Sequence, residues 1–489
     1  MSAGTAARRP TTGASMTVVV GFLAFVELTS GVIQGFYTPL LTDVARHLGV
    51  HDADVNWLEG SQLMLSALVV PALAKLGDMV GHRRILLWST AVTAAASLVL
   101  PFTDSFAVFL VAWALQGFYV VWLPLEIALV WLRTRDLPNR SAVTAKAAGV
   151  LVAALQAGAI AGALAGGALV DSFPLWVVLL VPALLVCACF VVVWLGVAET
   201  PDPVGGRLDT RGLVLISLAL LAFTGGLSLL RLEGVASPVA WAAVAAGLLL
   251  LWPFVRAELR HDDPLIDVRM FRSPALAPVF LTAGLFGVSV LGAQAPLSTF
   301  ARTDPAVYGY GLGTSGFQTS LLIGVYLIAM IVGALSFPRV AALVSPRLTL
   351  FVAALAVAVG FGLFLPLHDT YVQVATNMVI VGLGSGTLVA ALPAAAAAAA
   401  PPTQTGVATG LTNSVKTVGG AIASCVFGIA LLGAAGANAA ESVTGTAGTL
   451  TGYMTVWVVC GGTALVAAVL LLVVPKEAFT DRGAHAPAA

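Results

Sequence analysis

An all-α membrane protein that crosses the bilayer fourteen times is the fold class these 489 residues predict, and three observations carry it. Hydrophobic residues make up 59% of the chain and charged residues 9%, where a soluble domain holds roughly a quarter charged residues. Apolar runs of about twenty residues, the length that spans the hydrocarbon layer, recur from end to end. The short loops between them alternate in charge. The net charge of +0 gives no general attraction to nucleic acid, so the placement of the charges is informative and their sum is not.

The runs lie near 16–39, 53–77, 84–103, 106–131, 142–170, 174–198, 211–233, 238–256, 274–299, 314–338, 346–366, 370–399, 405–435 and 451–474. The opening MSAGTAARRPTTGAS is polar and basic, and the run after it is too long and lacks a cleavage pattern. It reads as a retained first helix and not as a signal peptide. The alanine run Ala394–Ala400 reads as the inner end of the twelfth span, stopped by Pro401-Pro402.

One set of loops carries Arg8/Arg9, Arg83/Arg84, Arg133/Arg135/Arg140, Arg207/Arg211, Arg256/Arg260/Arg269/Arg272, Arg339/Arg347 and Lys476. The alternate set is poorer in basic residues and often acidic, with Asp43/Asp52/Asp54, Asp104, Asp171, Asp304, Asp369 and Glu441. Basic loops stay inside, so both termini are expected in the cytoplasm of a multi-pass protein of the cell (inner) membrane. The division follows: a tail at 1–15, a six-helix bundle at 16–198, two inserted helices with polar connectors at 199–273, a second six-helix bundle at 274–474 and a tail at 475–489. The connectors TPDPVGGRLDTRG and RHDDPLIDVRMFRSP bracket the inserted pair. No polar segment is long enough to bury a core of its own. The 4 cysteines, Cys187, Cys189, Cys425 and Cys460, lie in apolar runs without metal-ligand spacing and read as small packing residues. The sequence offers no nucleophile constellation, metal cluster or nucleotide loop, so no enzyme, cofactor or metal is expected.

The stretch PALAKLGDMVGHRRIL, from Pro71 to Leu86, joins the second and third spans through a very short loop. Gly81 permits the tight turn, Asp78 stands where one helix ends, and Arg83 and Arg84 where the next begins. Such a cluster can hold a helix terminus of the opposite half by charge–dipole contact and release it when the halves rock. An ordinary basic loop with one incidental Asp is the other reading. The fifth span contains GAIAGALAGG, with Gly158, Gly162 and Gly166 at every fourth position and Gly167 beside them, a small-residue stripe that lets two helix backbones approach.

The loop resembles the signature between helices 2 and 3 of the major facilitator superfamily of transporters: Asp78, Gly81, Arg83 and Arg84 match its pattern, while Ala74, Met79 and His82 replace a Gly and two Arg. The glycine stripe looks like the family's antiporter motif, with Ala163 where Pro is usual. LQG followed by Pro124 resembles the helix-4 motif, but Trp113 stands where the family places an arginine linked to proton transfer. PLIDVRMFRSP and GVATGLTNSVKTVGGAIAS resemble segments of the fourteen-helix drug:proton antiporter branch, with Lys416 where an arginine is common. The resemblance implies the major facilitator fold, alternating access, a substrate site between the halves near the midplane, and exchange of a small molecule for protons.

A charged side chain at the membrane centre costs about 2.5–3.5 kcal/mol on insertion scales and normally faces a cavity or a partner. Glu27, near the middle of the first span, shares one face with Ser30, Gln34 and Thr38 by helical spacing. It has no basic neighbour in sequence and is read as a proton carrier or a cation contact. Glu59 shares a face with Gln62 and Ser66, and either couples protons or sits at the outer headgroup boundary. Glu126 shares a face with Gln116, Tyr119 and Leu123, and either functions or forms an ion pair with Arg133 or Lys146. Lys416, with Asn413 one turn before it, either snorkels to the interface or binds an anionic group. Gln294, Tyr326 and Asn377 are second-half candidates for the cavity. Trp113, Phe118, Tyr119 and Trp122 add aromatic surface, at least half of it expected to face lipid.

The reading is a monomeric secondary transporter in the lipid bilayer, exporting an organic amphipathic or cationic compound in exchange for protons. A narrower metabolite or lipid carrier, without proton coupling, is favoured by Trp113 and the departures in the loop. A non-transporting membrane sensor that kept the fold is the remaining alternative.

Overall fold

The structure is a computed structural model that describes residues 13–134, 140–198, 209–261, 264–400, 404–433 and 446–473. Arg8, Arg9, Arg135, Arg207, Glu441, Lys476, both tails, most of the first connector and the side chain of Arg140 lie outside the described residues. Among the described residues fourteen helices are long and apolar enough to cross a membrane: α1 Val19–Leu48, α2 Asp52–Val80, α3 His82–Phe102, α4 Phe106–Arg133, α5 Lys146–Val170, α6 Leu175–Gly196, α7 Thr210–Glu233, α8 Pro238–Glu258, α9 Ala277–Arg302, α10 Gly316–Leu343, α11 Pro346–Leu363, α12 Tyr371–Ala399, α13 Val407–Leu432 and α14 Leu450–Leu472.

Local chemistry sets the ends. α1 runs on past the expected residue 39: a 3-10 turn at Thr38–Leu40, containing Pro39, leads into the amphipathic turn pair Leu41–Leu48. The apolar run ends there, yet Asp43 and Arg46 continue the helix as its polar last turns. Gly49, at φ 63°, closes it in the left-handed conformation and returns its N–H to Ala45 and Arg46, the common glycine stop. α2 ends at Gly81, at φ 110°, where an L side chain would be strained. Capping boxes at Ser315/Gln318 and Thr370/Gln373 start α10 and α12. Ala400 turns to extended backbone at the end of α12, as a residue before proline must.

Two large apolar cores result. One is built almost wholly from α1–α6, around Phe36, Phe109, Trp113 and Trp122. The other is built from α9–α14, around Phe280, Phe300, Phe361 and Trp457. A small third cluster forms where Leu227 and Leu230 of α7 and Ala240 and Val244 of α8 meet Trp57 of α2 and Cys425 of α13. Within the first half the glycine stripe of α5 lies against α1: an added Cβ at Gly158, Gly162 or Gly166 would strike the backbone of Leu28, Val32 or Phe36. Gly31 and Gly35 of α1 return the contact against Leu155 and Ala159. The halves meet through α2 with α13 and α5 with α10. The outside is apolar, with Leu195, Leu249 and Val372 more than 70% exposed, the surface a bilayer requires of a multi-pass membrane protein.

Candidate functional site

Between the halves lies a cavity of about 240 Å³. α1 contributes Gln34, Gly35 and Thr38, and α5 contributes Leu155, Gln156 and Ala159. Opposite stand Gln294 and Ser298 of α9, Tyr326 and Met330 of α10, and Lys416 of α13, among apolar side chains. α9 bends into the wall through a π-helical turn at Gly287–Leu291, a device common at functional sites. Gly287 leaves room there for α13, because any Cβ would fall on the carbonyl of Lys416. α9 and α13 thus touch backbone to backbone beside the cavity.

The end of the molecule that carries Gly49 is drawn shut. Nη2 of the Arg302 guanidinium lies 2.8 Å from each carboxylate oxygen of Asp43, across the halves, a charge-assisted contact. The guanidinium also approaches Asp171 at 4.0 Å. The Asp171 carboxylate accepts the backbone N–H groups of Gly316 (2.8 Å) and Phe317 (2.9 Å), at the start of α10. Its burial works to raise its pKa, but those two N–H groups, the Ser315 hydroxyl and Arg302 outweigh that and hold the carboxyl below its usual range. Ser298 donates to the carbonyl of Thr38 at 2.5 Å and Ser320 to that of Ala163 at 2.7 Å. Nearby, Arg231 of α7 pairs with Asp54 of α2 at 2.5 Å.

The Gly81 end is arranged differently. His82 stands 3.2 Å from Asp78, in the place of a family arginine. Arg83 donates to the carbonyls of Val197 and, at 2.8 Å, Trp194, and Arg84 reaches Val80 at 3.5 Å. Arg133 donates to Ala198. Where the sequence points to a helix terminus of the opposite half, Arg83 grips the C-terminus of α6 in its own half. α3 and α6 are neighbours, and the carbonyls at the end of α6 offer Arg83 a negative dipole end.

The three membrane acids all lie in the first half, and none of them lines the cavity. Glu27 and Glu126 are fully buried, and both oxygens of each are without a hydrogen-bond partner among the described residues. They lie close enough for the charge of one to act on the other. The ion pair of Glu126 with Arg133 or Lys146 is therefore not formed: Arg133 lies a further two turns along α4 and reaches α6. Glu59 is half-buried and lies within electrostatic reach of Tyr119. The polar face expected of α1 is divided by depth. Gln34 and Thr38 line the cavity, whereas Glu27, two turns nearer the Gly81 end, is enclosed in the helix bundle.

Several other expectations move. Gln116 is fully buried and donates to Tyr37 at 2.9 Å and Ser97 at 2.8 Å, so it ties α4 to α1 and α3 and does not face the cavity. Gln62 is nine-tenths buried against the Trp113 carbonyl at 3.4 Å. Tyr119 is buried in the first core. Asn377 is 1% exposed and donates to Leu367 at 2.7 Å, holding the α11–α12 turn. Trp113, Tyr119 and Trp122 are buried and do not face lipid. Trp113 packs on Tyr37 and Phe109, with ring centres 4.9 and 5.8 Å away. Lys416 lines the cavity instead of snorkelling. Gln34, Gln294 and Tyr326 do line the cavity. Gly167 faces Gly316 and Ser320 of α10, across the halves, while its three companions face α1.

Sequence reasoning missed Arg302, Arg231 and Gln156. The first two carried a signal: they are basic residues on the otherwise acid-rich end, and each is paired with an aspartate there.

Two cores in two helix bundles, meeting round a cavity closed at one end, define a transporter that moves its substrate between helix bundles. The Major Facilitator Superfamily model matches residues 23–424, and matches again over 305–488; the chain belongs to this superfamily. It is 27% identical over 429 residues to the drug efflux pump JefA of Mycobacterium tuberculosis, covering 84% of this chain and 77% of that protein. It is 28% identical over 405 residues to the cephamycin export protein CmcT of Amycolatopsis lactamdurans, covering 81% and 80%. Among solved structures, the nucleoside transporter NupG shares the fold, with a TM-score of 0.64 at 14% identity over 94% of this chain and 98% of that one.

Proposed function

We propose that this transporter exports an organic amphipathic compound from the cytoplasm in exchange for protons, by alternating access. The observation that carries the reading is the cavity between the halves, walled by both and closed at the Gly49 end by Arg302 and Asp43. The Gly81 end is assigned to the cytoplasm from its basic loops, with both termini inside the cell, and the proposed location is the cell membrane. The names of JefA and CmcT, a drug efflux pump and an export protein, support export. The protein works as a monomer, since one chain supplies both walls of the cavity.

Glu27 and Glu126 are assigned the proton. An unpaired buried carboxylate costs several kcal/mol, so this closed conformation suits the neutral carboxyl. A conformation that admits water to the pair lets the proton leave. Glu59, nearer the Gly49 end and less enclosed, is placed on the path between the pair and the outside. The substrate is held by Gln34, Gln294, Tyr326 and the apolar wall.

One observation favours a second reading, a narrower carrier without proton coupling. Trp113 fills the position of the family's proton-linked arginine with a ring stacked into the core, so no cation reaches the acids from that position.

Proteoliposomes containing a pH-sensitive dye decide between the two. With cefoxitin (a cephamycin) or ethidium as the test compound, antiport predicts a lumenal pH change on adding the compound and flux that scales with a preset proton gradient. Flux indifferent to the gradient removes the antiport reading and leaves the carrier.

A further inference from the structure

We propose that the central cavity selects amphipathic organic monoanions, an apolar body bearing one carboxylate, through Lys416. This inference rests on the reading of that cavity as the substrate site. Lys416 is the one formally charged residue lining it among the described residues, with no aspartate, glutamate, histidine or arginine among them beside it. The membrane acids Glu27, Glu59 and Glu126 belong to the first half and stand outside the lining.

Among the described residues no hydrogen bond or ion pair occupies the Lys416 ammonium; Lys416 lines the cavity, and its backbone carbonyl lies against Gly287 of α9. Phe286, Leu291, Leu322, Ile323 and Phe361 supply the apolar surround. In walls of low dielectric a single charge acts strongly on a ligand. A carboxylate beside Lys416 gains a charge-assisted hydrogen bond, and an organic cation meets like charge with no acid to offset it. The amides of Gln34 and Gln156 on the facing wall and of Gln294 on the Lys416 side can donate to the same carboxylate. The cavity therefore disfavours the cationic substrate that the resemblance to drug exporters allows.

The test is equilibrium binding to the purified full-length protein in detergent, followed by tryptophan fluorescence. The probes share one apolar body: 1-naphthaleneacetate, 1-naphthaleneacetamide and 2-(1-naphthyl)ethylammonium. The expected result is that the carboxylate binds about tenfold more tightly than the neutral amide, the gain typical of a charge-assisted contact over a neutral one. The ammonium is expected to bind more weakly than either. Lys416→Gln should remove the preference for the carboxylate and leave amide binding unchanged, Lys416→Arg should retain it, and Lys416→Glu should transfer it to the ammonium. Equal affinity of the wild type for carboxylate and amide, binding by none of the three, or a preference that persists in Lys416→Gln overturns the proposal. A melting temperature shared by the wild type and Lys416→Arg shows that the site tolerates substitution. Gradient-driven flux of any compound with no charge preference in binding sinks this inference and leaves the antiport reading standing. The charge preference without gradient-driven flux does the reverse.

Discussion

Glu27 and Glu126 combine complete burial with no hydrogen-bond partner for any of their four carboxylate oxygens among the described residues, a cost that a purely structural residue would not carry. Glu27→Gln or Glu126→Gln keeps the shape and removes the exchangeable proton. Each variant is expected to melt no lower than the wild type and to lose the gradient-driven component of transport in proteoliposomes. Undiminished gradient-driven flux in both would refute the assignment of the proton. Gln116 differs in that its amide NH2 donates to Tyr37 and Ser97 inside the bundle, while its oxygen has no partner among the described residues. Gln116→Ala strands those partners and should lower unfolding stability by about 1–3 kcal/mol, with ligand affinity unchanged because the residue is off the cavity. A selective loss of affinity without loss of stability would place it in the site after all.

Helix contacts in this protein depend on missing side chains. α5 and α1 meet where Gly158, Gly162 and Gly166 offer no Cβ, so Gly162→Leu should overpack the seam and destabilise by about 1–3 kcal/mol or more, read by thermal unfolding in detergent. A wild-type melting curve would mean that α1 and α5 are not in contact. The closed end of the cavity depends on a pair of intermediate burial, with Arg302 9% and Asp43 19% exposed. Arg302→Ala should weaken closure by more than the roughly 1 kcal/mol of an exposed pair and less than the roughly 3–5 kcal/mol of a fully buried one. A cysteine introduced at Gln34, in a background without the native cysteines, should then react faster with a membrane-impermeant thiol reagent added outside. No change in that rate would show that Arg302 does not hold the end shut.

For the molecule as a whole, the clasp between halves has a defined pH dependence. The Asp171 carboxyl is held below its unperturbed value of 3.8 by the N–H groups of α10, against the effect of its burial. A depressed pKa contributes stability above the unfolded value and loses it as pH falls through the folded one. The contribution of Asp171 to closure should therefore be constant at outside pH between about 7 and 5 and be lost only below about pH 4. The same thiol-accessibility assay, run against external pH, measures it. Opening between pH 7 and 5 would assign the dependence to another group.

Much of the fold was legible because a bilayer leaves few choices. Apolar runs of spanning length and alternating loop charge fixed fourteen helices, and the motif residues Asp78, Gly81, Arg83 and Arg84 identified the superfamily. The largest boundary shift came where polar residues extend a helix beyond its apolar run, in Leu41–Leu48 of α1. The candidate site was legible in part. Gln34, Gln294 and Tyr326 reach the cavity, while Gln62, Gln116, Tyr119 and Asn377 serve the interior of one half or the other. Helical spacing reports the direction in which a side chain points and not what stands opposite it.

Tertiary structure alone decided those oppositions. It brought Glu27 of α1 near Glu126 of α4, closed one end with Arg302 and Asp43, separated by 259 positions in the chain, and turned Lys416 into an otherwise uncharged wall. Sequence determined which segments span, because transfer into hydrocarbon is a property of each segment by itself. Which polar groups pair, which face water and which stand alone depends on distances between segments, and those are set only when the helices pack.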